Sequence, residues 1–447
     1  MLEQEGKFHF LGFFDAIAIL IWFIIIVSLI NSNFKKNKDK EHFKYYKLGF
    51  YTKLISSIVF SFIYFYKYDG GDTTAYWDTA QKLVNLLFEN PPGFLHEFFN
   101  SDPARVRYLY FTLSTGLPPE WIYYEQEGWF ASKLYFLLAL ITFRSYFAMS
   151  FICAYLSFKV SWKLFELGMK YNATSQRNLA IGALFIPSTA FWCTGISKDT
   201  IMYVCALEGL VLLFSFFDTK TKKGFIFYFK LFIIYFLMSN IRDFMLLTAF
   251  GPFIFALGIK YSNRPSNSSF SKFFIQFGLI LAVLIGMSIF FSSSKAAELS
   301  EEAQVIQNDL KTNSEYGGAR YDLGISDFSP TGMIKAMPIS IFTAFFRPFL
   351  WESGSLFIFI SAVETLFLLI LTVNLIFRSG IVLFIKKVRE NEFLIAALVF
   401  SLILGFFAGY TSGLFGVLVR FKAPLLPFLF ILLTMNLKKK NEEVITI

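Results

Sequence analysis

Five short polar clusters interrupt an otherwise apolar sequence, and their residue types are ones that do chemistry. The first is Asp69-Gly70-Gly71-Asp72-Thr73-Thr74-Ala75-Tyr76. Its paired glycines let the backbone turn sharply and present Asp72 at the start of a following helix. A carboxylate there accepts hydrogen bonds from helix N-terminal amides, and it can also serve as a general base. Both readings stand, because one group can do either. Tyr76 lies one turn on, on the same helical face. The second cluster, Gly195-Ile196-Ser197-Lys198-Asp199, joins two apolar runs with almost no loop. It is either a hydrated hairpin or a site in which Lys198 faces an anionic headgroup and Asp199 holds it. Arg242-Asp243 occupies a similarly tight hairpin and invites the same two readings.

The remaining clusters are Arg347-Pro348 with Glu352, and Arg420-Phe421-Lys422. The last follows Gly413-Leu414-Phe415-Gly416, with Pro424 and Pro427 beyond it. Snorkelling toward the interface would account for one cation. Two cations above a proline-distorted helix better suit a phosphate or pyrophosphate, whose oxygens match the guanidinium fork. Arg320 and Arg347 would supplement that site. Tyr76, Trp77 and Trp192 offer apolar faces to sugar rings, although tryptophan near a membrane interface is ordinarily an anchor. Metal dependence is left open: Asp69, Asp72 and Asp199 could hold a divalent ion, but no ligand spacing demands one. The histidines His9, His42 and His96 are scattered. The cysteines Cys153, Cys193 and Cys205 each fall inside an apolar run, as core filler does.

The elements that must position these clusters are membrane helices. The chain of 447 residues is 55% hydrophobic, more apolar surface than a soluble core of that size can hide. The reading is an all-α, polytopic bundle forming a single membrane domain over 1–447. About eleven spans are expected, near 12–30, 48–66, 144–165, 179–196, 200–217, 224–240, 243–259, 273–291, 354–377, 393–410 and 417–436. The net charge of +9 sits in short loops between apolar runs, which argues against nucleic acid and for the positive-inside rule. Basic clusters at Lys35–Lys47, Lys220–Lys223, Arg378–Arg389 and Lys438–Lys440 agree on one orientation, N-terminus outside and C-terminus cytoplasmic. No cleavable signal peptide is expected, because Met1–Phe10 lacks a basic n-region.

Two long loops, 67–131 and 292–338, then lie outside. The first holds amphipathic stretches at Asp78–Phe88, Gly93–Phe99 and after Ser132 that suit the membrane interface. The second opens with a polar helix over Ser292–Leu310 and turns at Gly317-Gly318. Residues 336–350 read as a re-entrant or interfacial piece broken by Pro338 and Pro348. With this topology all five clusters fall on the outer face. Ionisable groups near a bilayer core are expensive, so their convergence is the main functional signal.

At these residues the chain resembles the polytopic glycosyltransferases of the GT-C type, which use polyprenyl-phosphate sugar donors. The likeness rests on Asp72 followed four positions later by Tyr76 in a long outer loop, and on Arg420-Phe421-Lys422-Ala423-Pro424 as a donor-phosphate region. The acidic loop follows the second span here, where that family usually has it after the first. The resemblance implies a transferase at the outer face of a bacterial-type inner membrane. Asp72 would be the catalytic base; Tyr76, Lys198, Asp199, Arg242, Asp243, Arg320, Arg347, Glu352, Arg420 and Lys422 would bind substrate. The partners would be a lipid-linked sugar donor, a glycan, lipid or protein acceptor, and membrane lipid. A polymerase or ligase of lipid-linked glycans uses the same face and the same cations. A transporter or flippase predicts mid-span charges, for which Glu208 and Glu364 are the candidates, neither with an obvious partner in its own span. A non-catalytic assembly subunit is the remaining alternative.

Overall fold

The computed structural model describes residues 12–68, 70–99, 107–218, 223–242, 244–262, 319–325, 327, 329–436 and a few isolated positions between 268 and 305. The expected span at 273–291, the polar helix Ser292–Leu310, the Gly317-Gly318 turn, His9, Asp69, Asp243, Lys220, Lys222 and the Lys438–Lys440 cluster lie largely or wholly outside the described residues. Among those described the protein is all-helical, with one isolated antiparallel bridge between Arg320 and Leu414.

The helices run in chain order as α1 (Phe13–Asn37), α2 (Tyr46–Tyr66), α3 (Asp72–Glu89), α4 (Pro91–Phe99), α5 (Glu120–Tyr124), α6 (Gln126–Ile141) and α7 (Tyr146–Lys170). Then come α8 (Gln176–Ala180), a π turn at Ile181–Phe185, α9 (Pro187–Trp192), α10 (Lys198–Phe214), α11 (Phe225–Ile241) and α12 (Phe244–Ser262). The last are α13 (Pro330–Phe346), α14 (Leu356–Arg389), α15 (Glu392–Thr411), α16 (Phe415–Lys422) and α17 (Leu426–Leu433).

Six of these segments are long and apolar enough to cross a bilayer: Phe13–Asn37, Glu41–Tyr66, Lys198–Phe217, Phe244–Ser262, Leu356–Arg389 and Glu392–Thr411. The number rises to eight if two bent pairs, α6 with α7 and α16 with α17, each make one span. The bend between α6 and α7 is 110°, made at Phe143 and Arg144, which both take positive φ. That conformation is uncommon for such side chains and needs support from its surroundings. Arg144 has it: its carbonyl accepts from Trp77 Nε1 at 2.8 Å, and its guanidinium donates to Asn85 Oδ1 at 2.7 Å.

Two sequence expectations change and one gains its helix. The stretch at 179–196 is not one helix. It is α8, a π turn and α9, interrupted before Pro187, which has no N–H to continue the ladder. The run after Ser132 belongs to α6, whose buried face carries Trp129, Ser132, Lys133, Tyr135 and Phe136. In the 336–350 segment, α13 passes through Pro338 unbroken and ends at Arg347, which is extended as a residue before proline tends to be.

The chain divides into two compact units. Unit 1 comprises Met1–Trp162, Ala190–Glu208 and Lys223–Asp243; unit 2 comprises Lys163–Thr189, Gly209–Lys222 and Phe244–Ile447. In unit 1 the core gathers around α3 and α6, with Phe65, Tyr76, Trp77, Phe111, Tyr123, Trp129, Tyr135 and Tyr146 all buried. Edge-to-face pairs such as Phe65–Tyr146, with centroids 4.4 Å apart, stabilise it beyond simple burial. Unit 2 is organised on α15, which packs against α12 and α13. The approach of α13 to α15 is close because Gly409 has no side chain: a Cβ there would sit 2.0 Å from the Ser340 carbonyl oxygen. Close contact through small residues is how apolar helices associate where lipid removes the hydrophobic drive. Gly409→Ala should therefore destabilise unit 2 by about 1–3 kcal/mol, the usual cost of overpacking. Thermal unfolding in detergent measures it, and an unchanged midpoint would contradict the close approach.

Candidate functional site

Unit 1 brings three of the sequence clusters together. At the end of α2, Gly70 and Gly71 both take φ of +121°, a conformation open to glycine and strained for other residues. This reverses the chain, so α3 begins at Asp72, which is half-buried in its first turn. Thr73, Tyr76, Trp77 and Ala80 form the buried stripe of α3, at the spacing an amphipathic helix requires. Tyr76, 1% exposed, stacks on Tyr135 of α6, with centroids 6.2 Å apart and rings 21° from parallel.

Tyr135 then grips the second cluster. Its hydroxyl accepts from the Ser197 amide at 2.7 Å and donates to the Ser197 carbonyl at 2.9 Å. One tyrosine thus links the Asp72–Tyr76 helix to the Ser197-Lys198-Asp199 turn. Lys198 donates to Glu125 Oε1 at 2.6 Å and to Glu127 Oε2 at 3.2 Å, both near the start of α6. Asp199 accepts from Arg242 Nη1 at 2.7 Å. The expectation that Asp199 holds Lys198 is corrected accordingly. Adjacent residues at a helix start diverge around the axis, so each charge meets a partner from a different element. The two pairs differ in environment. Asp199 and Arg242 are 3% and 12% exposed at their side chains, whereas Glu125 and Glu127 are 41% and 44% exposed. The accessible groups of this cluster are therefore carboxylates. Glu125, Glu127 and Tyr135 escaped the sequence reading; the sign of the first two was a pair of acids directly before an apolar run.

The chain matches no protein-family model, no curated protein and no solved structure. The site's chemistry thus stands on its own residues. Among the described residues, no group of three or more His, Cys, Asp or Glu is placed to hold a metal ion.

A second buried acid lies in the first long loop. Glu97 of α4 is 1% exposed; Tyr123 donates to both its oxygens at 3.4 Å, and His96 Nδ1 lies 3.7 Å away. Burial lifts the Glu97 carboxyl above its ordinary range, against the opposing pull of His96, Tyr123 and Lys133. A carboxyl raised on folding stabilises the folded state in its neutral form. That contribution is complete below about pH 4 and fades as pH rises through the raised value. Glu97→Gln should remove this part of the pH dependence, so wild type and variant should diverge in melting temperature as pH rises from about 4. Parallel melting curves across that range would contradict it.

Five predicted site residues fall in unit 2. Arg320 is exposed and bridges Leu414 through its backbone. Arg347 lies against the rings of Tyr321 and Phe415, at 5.0 and 5.2 Å from their centroids. Its guanidinium donates to both carboxylate oxygens of Glu352, at 3.0 and 3.2 Å from Nε. Burial raises the Tyr321 phenol, and the adjacent Arg347 opposes that shift. Lys422 is fully buried, and its ammonium donates to the Arg347 carbonyl. Arg420 is half-buried in the last turn of α16. Arg347 and Lys422 were expected to face a phosphate. Here the first has a carboxylate partner and the second a carbonyl partner within the chain.

The mid-span charges also find partners. Glu364 of α14 accepts from the Ser188 amide at 2.8 Å and from the Ser188 hydroxyl. Lys422 is close enough to interact with it electrostatically. Thr189 donates to the Ala423 carbonyl at 2.6 Å, tying the break before α9 to the bend between α16 and α17. Side chains from other elements thus satisfy backbone groups freed by helix interruptions, as apolar surroundings require. Lys53 of α2 and Lys133 of α6 are further buried cations inside apolar helices that the sequence reading passed over.

Proposed function

We propose that this chain is a transferase acting on lipid-linked glycans at the outer face of a bacterial-type inner membrane, crossing it about eleven times with the N-terminus outside. The observation that carries the reading is the junction in unit 1, where the Asp72–Tyr76 helix and the Ser197–Asp199 turn meet on Tyr135. In this reading Asp72 takes the proton of an acceptor hydroxyl as its oxygen attacks the anomeric carbon. The new glycosidic bond forms as the bond to the lipid phosphate breaks, and the phosphate leaves with the electron pair. Accessible carboxylates such as Glu125 and Glu127 suit sugar hydroxyls, to which they offer strong acceptors. The donor-phosphate role given to Arg420 is part of the same proposal.

The test is a profile of lipid-linked and surface glycans in the native host with the gene deleted, complemented with wild type, Asp72→Asn and Arg420→Ala. Accumulation of a precursor that neither variant clears supports the transferase, and its size separates addition of one sugar from polymerisation of whole units. Unchanged glycans sink it.

A second reading, transport or lipid flipping, draws on unit 2. Glu364 meets the break before α9 through Ser188, and Lys422 lies at the bend between α16 and α17, a pattern used by transporters to build sites at membrane depth. Under that reading deletion leaves the glycan assembled but on the wrong side of the membrane.

A further inference from the structure

The faces that α2 and α7 turn toward each other are polar inside an apolar bundle. On α2, Lys53, Ser57 and Ser61 recur every four residues, which places them on one face, and each is at most 1% exposed. On α7, Ser150, Ser157 and Ser161 are all 0% exposed. Ser57 Oγ donates to the Ser150 and Thr194 carbonyls, each at 3.1 Å. Ser61 Oγ donates to the Ser57 carbonyl at 2.8 Å and lies 3.4 Å from Ser150 Oγ. Ser61 also lies near the Tyr146 hydroxyl, which is 2.6 Å from Thr73 Oγ1, next to Asp72.

The other end of this file is closed. Lys53, at the middle of the candidate span Glu41–Tyr66, lies 5.1 Å from the ring of Tyr203, whose hydroxyl is 2.7 Å from Ser161 Oγ. Beyond it Phe43, Tyr46, Phe158 and Trp162 pack ring against ring, Tyr46 and Trp162 at 4.7 Å. From Ser61 to Lys53 α2 rises about 12 Å, a little under half of the roughly 30 Å of a hydrocarbon core.

Dry interhelical packing is rich in serine, and each hydroxyl there finds a partner, as Ser57 and Ser61 do on carbonyls. Here the file is long, ends on an ammonium, and includes Ser157 Oγ, buried with no hydrogen-bond partner among the described residues. A hydroxyl in that state calls for water. We infer that the α2/α7 seam is a hydrated half-channel, running from the Thr73–Tyr146 pair to Lys53, which admits water and hydrophilic species of similar size when that pair parts. A charged side chain at the base of such a path is the arrangement membrane proteins use when an intramembrane charge does work. The inference is independent of the transferase reading and holds or fails without it.

Cysteine accessibility tests it. Ser57→Cys and Ser61→Cys are nearly isosteric, and a small charged methanethiosulfonate reacts with thiols that water reaches. Ile55→Cys and Val59→Cys are the controls, since these positions face outward and are 59% and 43% exposed. Leu113→Cys, at a position 92% exposed in the first long loop, reports full labelling. Site-resolved mass spectrometry distinguishes each from buried Cys153, Cys193 and Cys205. Both serine positions should react at least about ten-fold faster than Ile55→Cys and Val59→Cys, with the reagent on the side that labels Leu113→Cys. Rates no faster than those controls would make the seam dry packing and overturn the inference. So would labelling at Ser61→Cys without labelling at Ser57→Cys, since the path would stop short of Lys53.

Discussion

Asp72→Asn should lower glycan transfer by about 10²–10⁴-fold, the range that a positioned general base contributes, while membrane levels of the protein hold. Asparagine keeps the shape and the polarity of aspartate but cannot accept the proton of an attacking hydroxyl. The structural cost of the change is small. Asp72 is half-buried in the first turn of α3, where a negative charge favours the helix by about 0.3–1 kcal/mol. Removing that charge should shift the melting temperature by only a few degrees, far too little to empty the membrane of folded protein. Loss of transfer with a near-normal melting curve identifies chemistry at Asp72. Full transfer with a modest stability loss would reduce Asp72 to a helix-terminal charge and sink the base assignment. Activity and stability must therefore be read on the same sample.

The largest stability effect is expected from the Asp199–Arg242 pair. Removing one partner of a buried ion pair leaves the other charge without compensation, at about 3–5 kcal/mol. Asp199→Ala should reach that range because both side chains are almost wholly enclosed. Arg242→Met in the Asp199→Ala background should recover much of the loss, since the stranded guanidinium is then gone. Glu125→Gln is the contrast. Lys198 keeps Glu127, and Glu125 is 41% exposed, so the change should cost no more than about 1 kcal/mol. Equal losses from Asp199→Ala and Glu125→Gln would mean that burial does not set the strength of these pairs. The comparison is made by thermal unfolding of detergent-solubilised protein.

Much of the architecture was legible from composition alone. Transfer of apolar side chains from water sums along a local window, so α1, α2, α10, α12, α14 and α15 were readable from runs such as Phe13–Ile30. The turn before α3 was legible for a related reason: a Gly-Gly pair ahead of an aspartate marks a sharp reversal and a helix start within a few residues. Interruptions were harder. Pro187 broke its run, yet α13 continues through Pro338.

The sequence by itself determined where several helices long and apolar enough to cross a membrane lie, and which residues are costly enough in such a setting to need a reason. Which charge meets which was decided only by the tertiary structure. Lys198 finds Glu125 at a separation of 73 residues, Lys422 finds the Arg347 carbonyl at 75, and Ser188 finds Glu364 at 176. Hydropathy is a property of neighbours in the chain, whereas a buried ion pair forms between groups that packing brings within about 3 Å. Adjacent Lys198 and Asp199 looked like partners in the sequence, but one helix start pointed them to opposite companions.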